Sequence, residues 1–349
     1  DNSSVKNGTV IKWWWGLDTG FFRYYPQVTH IYNSYGIKNV IRVTENNFSC
    51  LDTFTQQIEV FPKPKADFLI NDSAQCENNN LFIFNNTSSI PYGNLSAKWL
   101  FGNGDSSLIY NSVYIYPKRD TLDVILISES DQFCYDTTSR KVILFPKPEP
   151  DFSIDNINQC LNSNQFNLES NSLIFYGRLN HIWDFGDSSI GSGLKQNKVY
   201  NRFGNFDIKL KNTSDLGCSD SIIKSVTVWE NPIPKIYLND FSQCQNVQNF
   251  IFVDSSFINV GPLNSVWDVE KVGIFTDKII NPVFNEIGLF RINLKSYSLN
   301  NCESSIDTFI HIHSKPQAKI FSSDTQFCLN NQKIDLIDIS SNLSGEIHK

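Results

Sequence analysis

From Phe203 to Asn212 the chain reads FGNFDIKLKN, with Phe206, Ile208 and Leu210 alternating against Asp207, Lys209 and Lys211. A period of two puts one row of side chains on a buried face and the other in water, which predicts a β-strand. Short runs of the same kind flank it: DFSI (151–154), FNLES (166–170) and SIIKSVTVW (221–229). HIWDFGDSS (181–189) reads as a strand entering a Gly/Asp turn, and KVY (198–200) leads into the alternating run. No helical period intervenes. About seven strands separated by turn signals predict an all-β fold, a two-sheet β-sandwich of immunoglobulin-like architecture.

The pattern repeats. Cys50, Cys76, Cys134, Cys160, Cys218, Cys244, Cys302 and Cys328 are spaced alternately 26 and 58 residues apart, a period of 84. Trp15, Trp99, Trp183 and Trp267 keep that period, as do Pro64, Pro148, Pro232 and Pro316, and Tyr32, Tyr116, Tyr200 and Phe284. A fixed period of this kind is the signature of tandem domains. The four tryptophans are assigned to the cores of successive sandwiches.

Proline-bracketed stretches PKPK (62–65), PKPEP (146–150), NPIP (231–234) and KP (315–316) mark the boundaries. They predict a partial domain at 1–61, complete domains at 65–146, 149–230 and 233–314, and a truncated domain at 317–349. Proline fixes φ, so linkers this short are semi-rigid and predict an extended rod. With no Met at its start and an end inside a patterned segment, the chain is expected to be an internal piece of a longer array, its neighbouring repeats being its first partners.

An even cysteine count without a CxxC pair points to disulfides rather than zinc, and so to an oxidising compartment. All eight cysteines are expected to be bridged. Two pairings stand open: within a domain (Cys76–Cys134, Cys160–Cys218, Cys244–Cys302) or between successive domains (Cys76–Cys218, Cys160–Cys302). In an immunoglobulin-like topology the two cysteines of one domain lie at opposite ends of the sandwich, whereas a bridge needs Cα atoms within about 7 Å. A self-sufficient repeat favours the first pairing and the end-to-end distance the second.

At 40% hydrophobic residues a packed core is expected. The net charge of -7 excludes a nucleic-acid partner, which requires a clustered basic surface. No apolar run is long enough to span a membrane.

WDFGDSS (183–189) followed by VYNRFGNFDIKL (199–210) resembles the W-x-F-G-D-G and Y-x-x-x-G-x-Y-x-V signatures of PKD (polycystic kidney disease) domains. WLFGNGDSS (99–107) keeps the motif, WGLDTG (15–20) degrades it and WDVEKVG (267–273) departs from it. The resemblance covers essentially the whole chain and implies spacer or adhesive modules. The long array, its paired cysteines and its Asn/Lys/Ile-rich composition are similar to giant surface adhesins of gliding Bacteroidota exported by type IX secretion.

Candidate chemistry is sparse. KWWWGLDTG (12–20) and the rings after it gather Trp13, Trp14, Trp15, Phe21, Phe22, Tyr24 and Tyr25. Trp13 shares the strand parity of Trp15 and Trp14 points the other way. Phe21, Phe22, Tyr24 and Tyr25 stand where the second repeat has Asp105, Ser106, Leu108 and Ile109, and Trp14 where the later repeats have Lys98, Ile182 and Val266, so these five are candidate contacts for surface glycans or other cell-surface proteins. His311 and His313 suggest a metal pair but alternate with the core positions Ile310 and Ile312, as a solvated strand face does. Asp184 and Asp187 fall in a turn, and no DxDxDG calcium loop accompanies them. Asn86-Thr87-Ser88 is a triplet that an Asn-rich chain makes by chance, whereas the resemblance to Bacteroidota adhesins implies O-glycan acceptors at Asp72-Ser73-Ala74 and Asp220-Ser221-Ile222. No nucleophile–base pair, P-loop or dinucleotide fingerprint occurs, so no enzyme, metal site or cofactor is expected. The expected function is a stiff stalk segment of an exported cell-surface adhesin. The alternative is a set of binding modules attached to a large secreted polysaccharide hydrolase.

Overall fold

The computed structural model describes residues 3–17, 21–323, 325–326, 329 and 333–342, with the backbone alone for Phe21–Arg23. Among them every regular element is a strand. The chain divides into two compact units, Asp1–Pro148 with Ile174–Leu179 and Thr213–Ser219, and Glu149–Leu173 with Asn180–Asn212 and Asp220–Lys349.

The second repeat shows how the pattern becomes a sandwich. Ser112–Tyr114, Phe82–Asn86 and Phe68–Ile70 form a three-stranded sheet in that order. Ala74–Cys76, Tyr135–Phe145, Thr121–Ser130, Leu95–Leu100 and Ser106–Ser107 form a five-stranded one. Phe68, Phe82 and Phe84 from the first sheet interlock with Trp99, Val124, Leu126, Val142 and Leu144 from the second. Alternation has placed every second side chain of both sheets in one core, as in tandem immunoglobulin-like domains. Equivalent three- and five-stranded sheets recur in the third and fourth repeats, around Trp183 and Trp267.

One buried polar device holds each of these three sandwiches in register, and a second is added in two of them. The indole of the core tryptophan donates to a carbonyl ten residues on: Trp99 to Ile109 (2.9 Å), Trp183 to Gly193 (2.8 Å) and Trp267 to Asp277 (3.0 Å). The Tyr116 hydroxyl donates to the Phe101 carbonyl (2.9 Å) and that of Tyr200 to Phe185 (2.7 Å). Burial pushes both phenols far above their ordinary range. In the fourth repeat Phe284 replaces the tyrosine. The glycine of the W-x-F-G motif has its own reason. Gly186 has φ +75° and a Cβ there would meet the Asp207 backbone oxygen at 2.8 Å, so no other residue fits without strain.

Among the described residues, those before 62 form a four-stranded sheet ordered Phe21–Arg23, Val10–Leu17, Gly36–Asn46, Leu51–Val60. Those past 316 form a two-stranded sheet, Ile320–Ser322 with Leu336–Asp338. Trp15, assigned from the period to a sandwich core, is therefore only half-buried. No second sheet closes over it among the described residues, and the Arg42 guanidinium lies over its ring at 4.3 Å instead.

Disulfides join Cys76 to Cys218 and Cys160 to Cys302, each across 142 residues with Cα atoms 5.5 Å apart. The short strand carrying each first cysteine explains the choice. Ala74–Cys76 pairs in parallel with the last strand and sets Cys76 opposite Phe145, whereas Cys134 precedes the other end of that strand at Tyr135. Ten residue steps at ~3.3 Å separate the two by roughly 33 Å, which excludes the within-domain pairing. The expectation of eight bridged cysteines is corrected: Cys50, Cys134 and Cys244 carry free thiols. Cys328 lies outside the described residues.

Candidate functional site

The aromatic group of the first repeat is set by the pairing of Val10–Leu17 with Phe21–Arg23, which puts Gly16 opposite Phe22 and Leu17 opposite Phe21. The side chains of Phe21 and Phe22 lie outside the described residues. Trp14 and Tyr24 meet edge to face at 6.4 Å. Tyr24 and Tyr25 are 66% and 64% exposed, while Trp14 is half-buried. The Tyr25 carbonyl accepts from the Trp15 indole at 2.9 Å, so Tyr25 is anchored through its backbone and leaves its ring outside. Two exposed phenols beside an indole can stack on an apolar sugar face and hydrogen-bond at its rim.

The other candidates are local. Asp184 accepts from the Gly186 amide (3.0 Å), and Asp187 from the Ser189 amide (3.1 Å) and the Lys198 ammonium. Burial would raise the Asp187 carboxyl, but Lys198 and Ser189 outweigh it and hold it below the usual range. These carboxylates stiffen a turn. His311 Nδ1 and His313 Nε2 lie 3.2 Å apart on a half-buried strand face beside the fully buried Ile310 and Ile312. Among the described residues no group of three or more His, Cys, Asp or Glu side chains is placed to hold a metal ion. Ser73 and Ser221 are exposed, whereas the Asn86 amide nitrogen is enclosed.

Sequence reasoning missed two groups. The first is a polar cluster of four residues around the buried His181 in the third repeat. Asn212 donates to His181 Nδ1 (2.7 Å) while its carbonyl oxygen accepts from Ser172 (2.8 Å), and Ser170 lies 3.1 Å from the same His nitrogen. An Nδ1 that accepts belongs to a neutral imidazole, and burial holds the His181 pKa below its ordinary value. The unfolded chain therefore binds the extra proton first, so stability is full above the unfolded pKa of about 6.5 and falls as pH drops below it toward the lowered folded value. Amide protection factors across residues 149–230, taken against the intrinsic exchange rate at each pH, should fall between pH 7 and 5. His181→Ser, the residue the fourth repeat carries as Ser265, should flatten that profile.

The second group surrounds the bridges. Asn78 donates to the Ser219 carbonyl (3.0 Å) near Cys76–Cys218, and the Arg119 guanidinium lies 4.0 Å over the Phe175 ring. Near Cys160–Cys302, Asn231 donates to the Glu303 carbonyl (2.9 Å) and accepts from the Asn162 amide (2.8 Å). Each bridge thus closes a polar contact between consecutive repeats. The 84-residue period marks the cysteines but not Asn231, whose equivalent in the preceding linker is Lys147.

No family model matches the chain, and no curated protein matches it. Solved structures do. The PKD1 domain of Vibrio anguillarum Epp is 23% identical over 24% of this chain and 93% of its own, with TM-score 0.21. A tetra-tandem repeat from the extending region of a large adhesion protein is 9% identical over 88% of this chain and 93% of its own, with TM-score 0.30. Drosophila N-cadherin EC1-4 is 10% identical over 90% and 94%, with TM-score 0.30. The chain itself is a tandem array of immunoglobulin-like sandwiches, and its disulfides belong to an oxidising, extracellular-type environment.

Proposed function

We propose that this segment is a load-bearing, non-catalytic stalk of an exported cell-surface adhesin, of the kind that serves gliding motility and leaves through type IX secretion. The observation that carries the reading is the pair of bridges. A disulfide that confers only domain stability has no reason to span two repeats. One that reaches the next repeat restrains pivoting about a proline linker and passes tension around it. Each last strand also meets its short cysteine strand in parallel, so a pull along the chain loads those hydrogen bonds together rather than one at a time. Small-angle scattering of the oxidised chain should give a maximum dimension well over ~100 Å, from strands of this length laid in series. A compact particle would reject the stalk.

The exposed Tyr24 and Tyr25 beside Trp14 favour a second reading, a glycan-binding module of a secreted polysaccharide hydrolase. Glycan-array binding that is lost in Tyr24→Ala/Tyr25→Ala would support it, and no binding by the parent chain would reject it.

A further inference from the structure

Contacts between successive repeats fall at equivalent positions but differ in chemistry. Tyr35, Arg119 and Phe203 are 84 residues apart, and so are Tyr92, Tyr176 and Val260. Between the first and second repeats, Tyr35 meets Tyr92 edge to face at 5.9 Å. Between the second and third, the Arg119 guanidinium lies 4.0 Å over the Phe175 ring and 3.8 Å from the Glu77 carboxylate. That junction brings a cation, an aromatic face and a carboxylate together, all from one chain.

The junction of the third and fourth repeats has rings and a carboxylate but no cation. Phe203 stands where Arg119 does, and Asn259 where Phe175 does. A cavity of about 310 Å³ opens there, its walls including Phe203, Trp229, Glu230, Ile258, Val260 and Leu299, with no Lys, Arg or His lining it. Phe203, Val260 and Leu299 are 43%, 72% and 73% exposed. Both flanking repeats carry a three-stranded and a five-stranded sheet, so the cavity belongs to the interior of the array. Glu230 is half-buried and accepts from the Asn259 backbone amide at 3.1 Å and from the Asn259 side-chain amide. Both donors are neutral, so they aim the carboxylate and leave its charge unbalanced. The linker itself does not require that charge, because the equivalent positions are Pro62 and Pro146.

We propose that this cavity binds an arginine side chain presented by a partner protein, with its guanidinium against the Phe203 and Trp229 rings and the Glu230 carboxylate. A guanidinium is planar, stacks on aromatic faces and offers a fork of donors to a carboxylate. A lysine ammonium is more strongly hydrated and loses more on entering an apolar cavity. The partner's arginine then does at this junction what Arg119 does at the preceding one.

The test titrates N-acetyl-arginine methylamide into the 349-residue chain and follows the tryptophan indole signals by NMR. The Trp229 signal, assigned by its loss in Trp229→Phe, is expected to shift saturably with a Kd of about 1 mM, ordinary for a ligand of this size. N-acetyl-citrulline methylamide has the same shape without the charge and should bind roughly tenfold more weakly. Phe203→Arg, at a partly exposed position, should fill the cavity from within and abolish the shift. Glu230→Gln should weaken binding about fivefold or more, and circular dichroism should be unchanged in both variants. A Trp229 signal that does not move at about 20 mM probe overturns the proposal. Citrulline binding as tight as arginine overturns it too, as does binding that survives both substitutions.

Discussion

Replacing Trp183 with alanine is expected to bring the third repeat close to unfolding, at a cost of about 3–5 kcal/mol against a typical domain stability of about 5–15 kcal/mol. The indole is fully buried between the two sheets, edge to face with Phe152 at 5.1 Å. Its removal leaves a cavity that strands paired on both sides cannot collapse into. It also strands the Gly193 carbonyl, which accepts from the indole nitrogen and would keep no partner from that ring, adding about 1 kcal/mol. Trp15→Ala is the internal control. That ring is half-buried against Arg42, and its loss should cost about 1–2 kcal/mol, the scale of partly buried apolar surface. Denaturant-dependent hydrogen exchange, read separately over residues 10–60 and 149–230, measures both. Equal losses at the two sites would contradict the burial difference.

Removing the second bridge with Cys160→Ser/Cys302→Ser is expected to loosen the contact it closes by about 2–4 kcal/mol. Midway in that range, the open population of the Asn231–Glu303 and Asn162–Asn231 contacts rises about a hundredfold. Proteolysis in the linker at 231–234 should accelerate accordingly. The cores around Trp183 and Trp267 contain neither cysteine, so tryptophan emission should not change. Unaltered cleavage would mean that the hydrogen bonds alone hold the contact.

Much of this fold was legible because alternation and period carry it. Phe206, Ile208 and Leu210 were read as inward-facing, and all three lie in the third core. The short strand at each first cysteine was not legible: NQC at 158–160 has no alternation, and it forms by pairing with Thr227–Trp229, remote in sequence. That strand decides the disulfide pairing, which is why spacing alone left two pairings open. The polar cluster around His181 was hidden for a similar reason. Ser170, His181 and Asn212 sit on three separate strands, and each looks like an isolated polar residue until the sheets close. Trp15 shows the limit of the period itself. It assigns equivalence of position, whereas burial also depends on a second sheet, and none lies over Trp15 among the described residues.

The reach of each bridge also fixes an order of events during biogenesis. As the polypeptide is made, Cys134 and Cys160 both emerge after Cys76 and before Cys218, its partner. An extended chain meeting an oxidant would close the nearest pairs first, as nascent chains do when nothing separates their thiols. Once the last strand of the second repeat has formed, it holds Cys76 and Cys134 some ten residue steps apart. Cys76 must then wait until the following repeat is complete. Each sandwich therefore acts as the template for a bond it does not contain, and folding has to run ahead of oxidation for the series to close correctly.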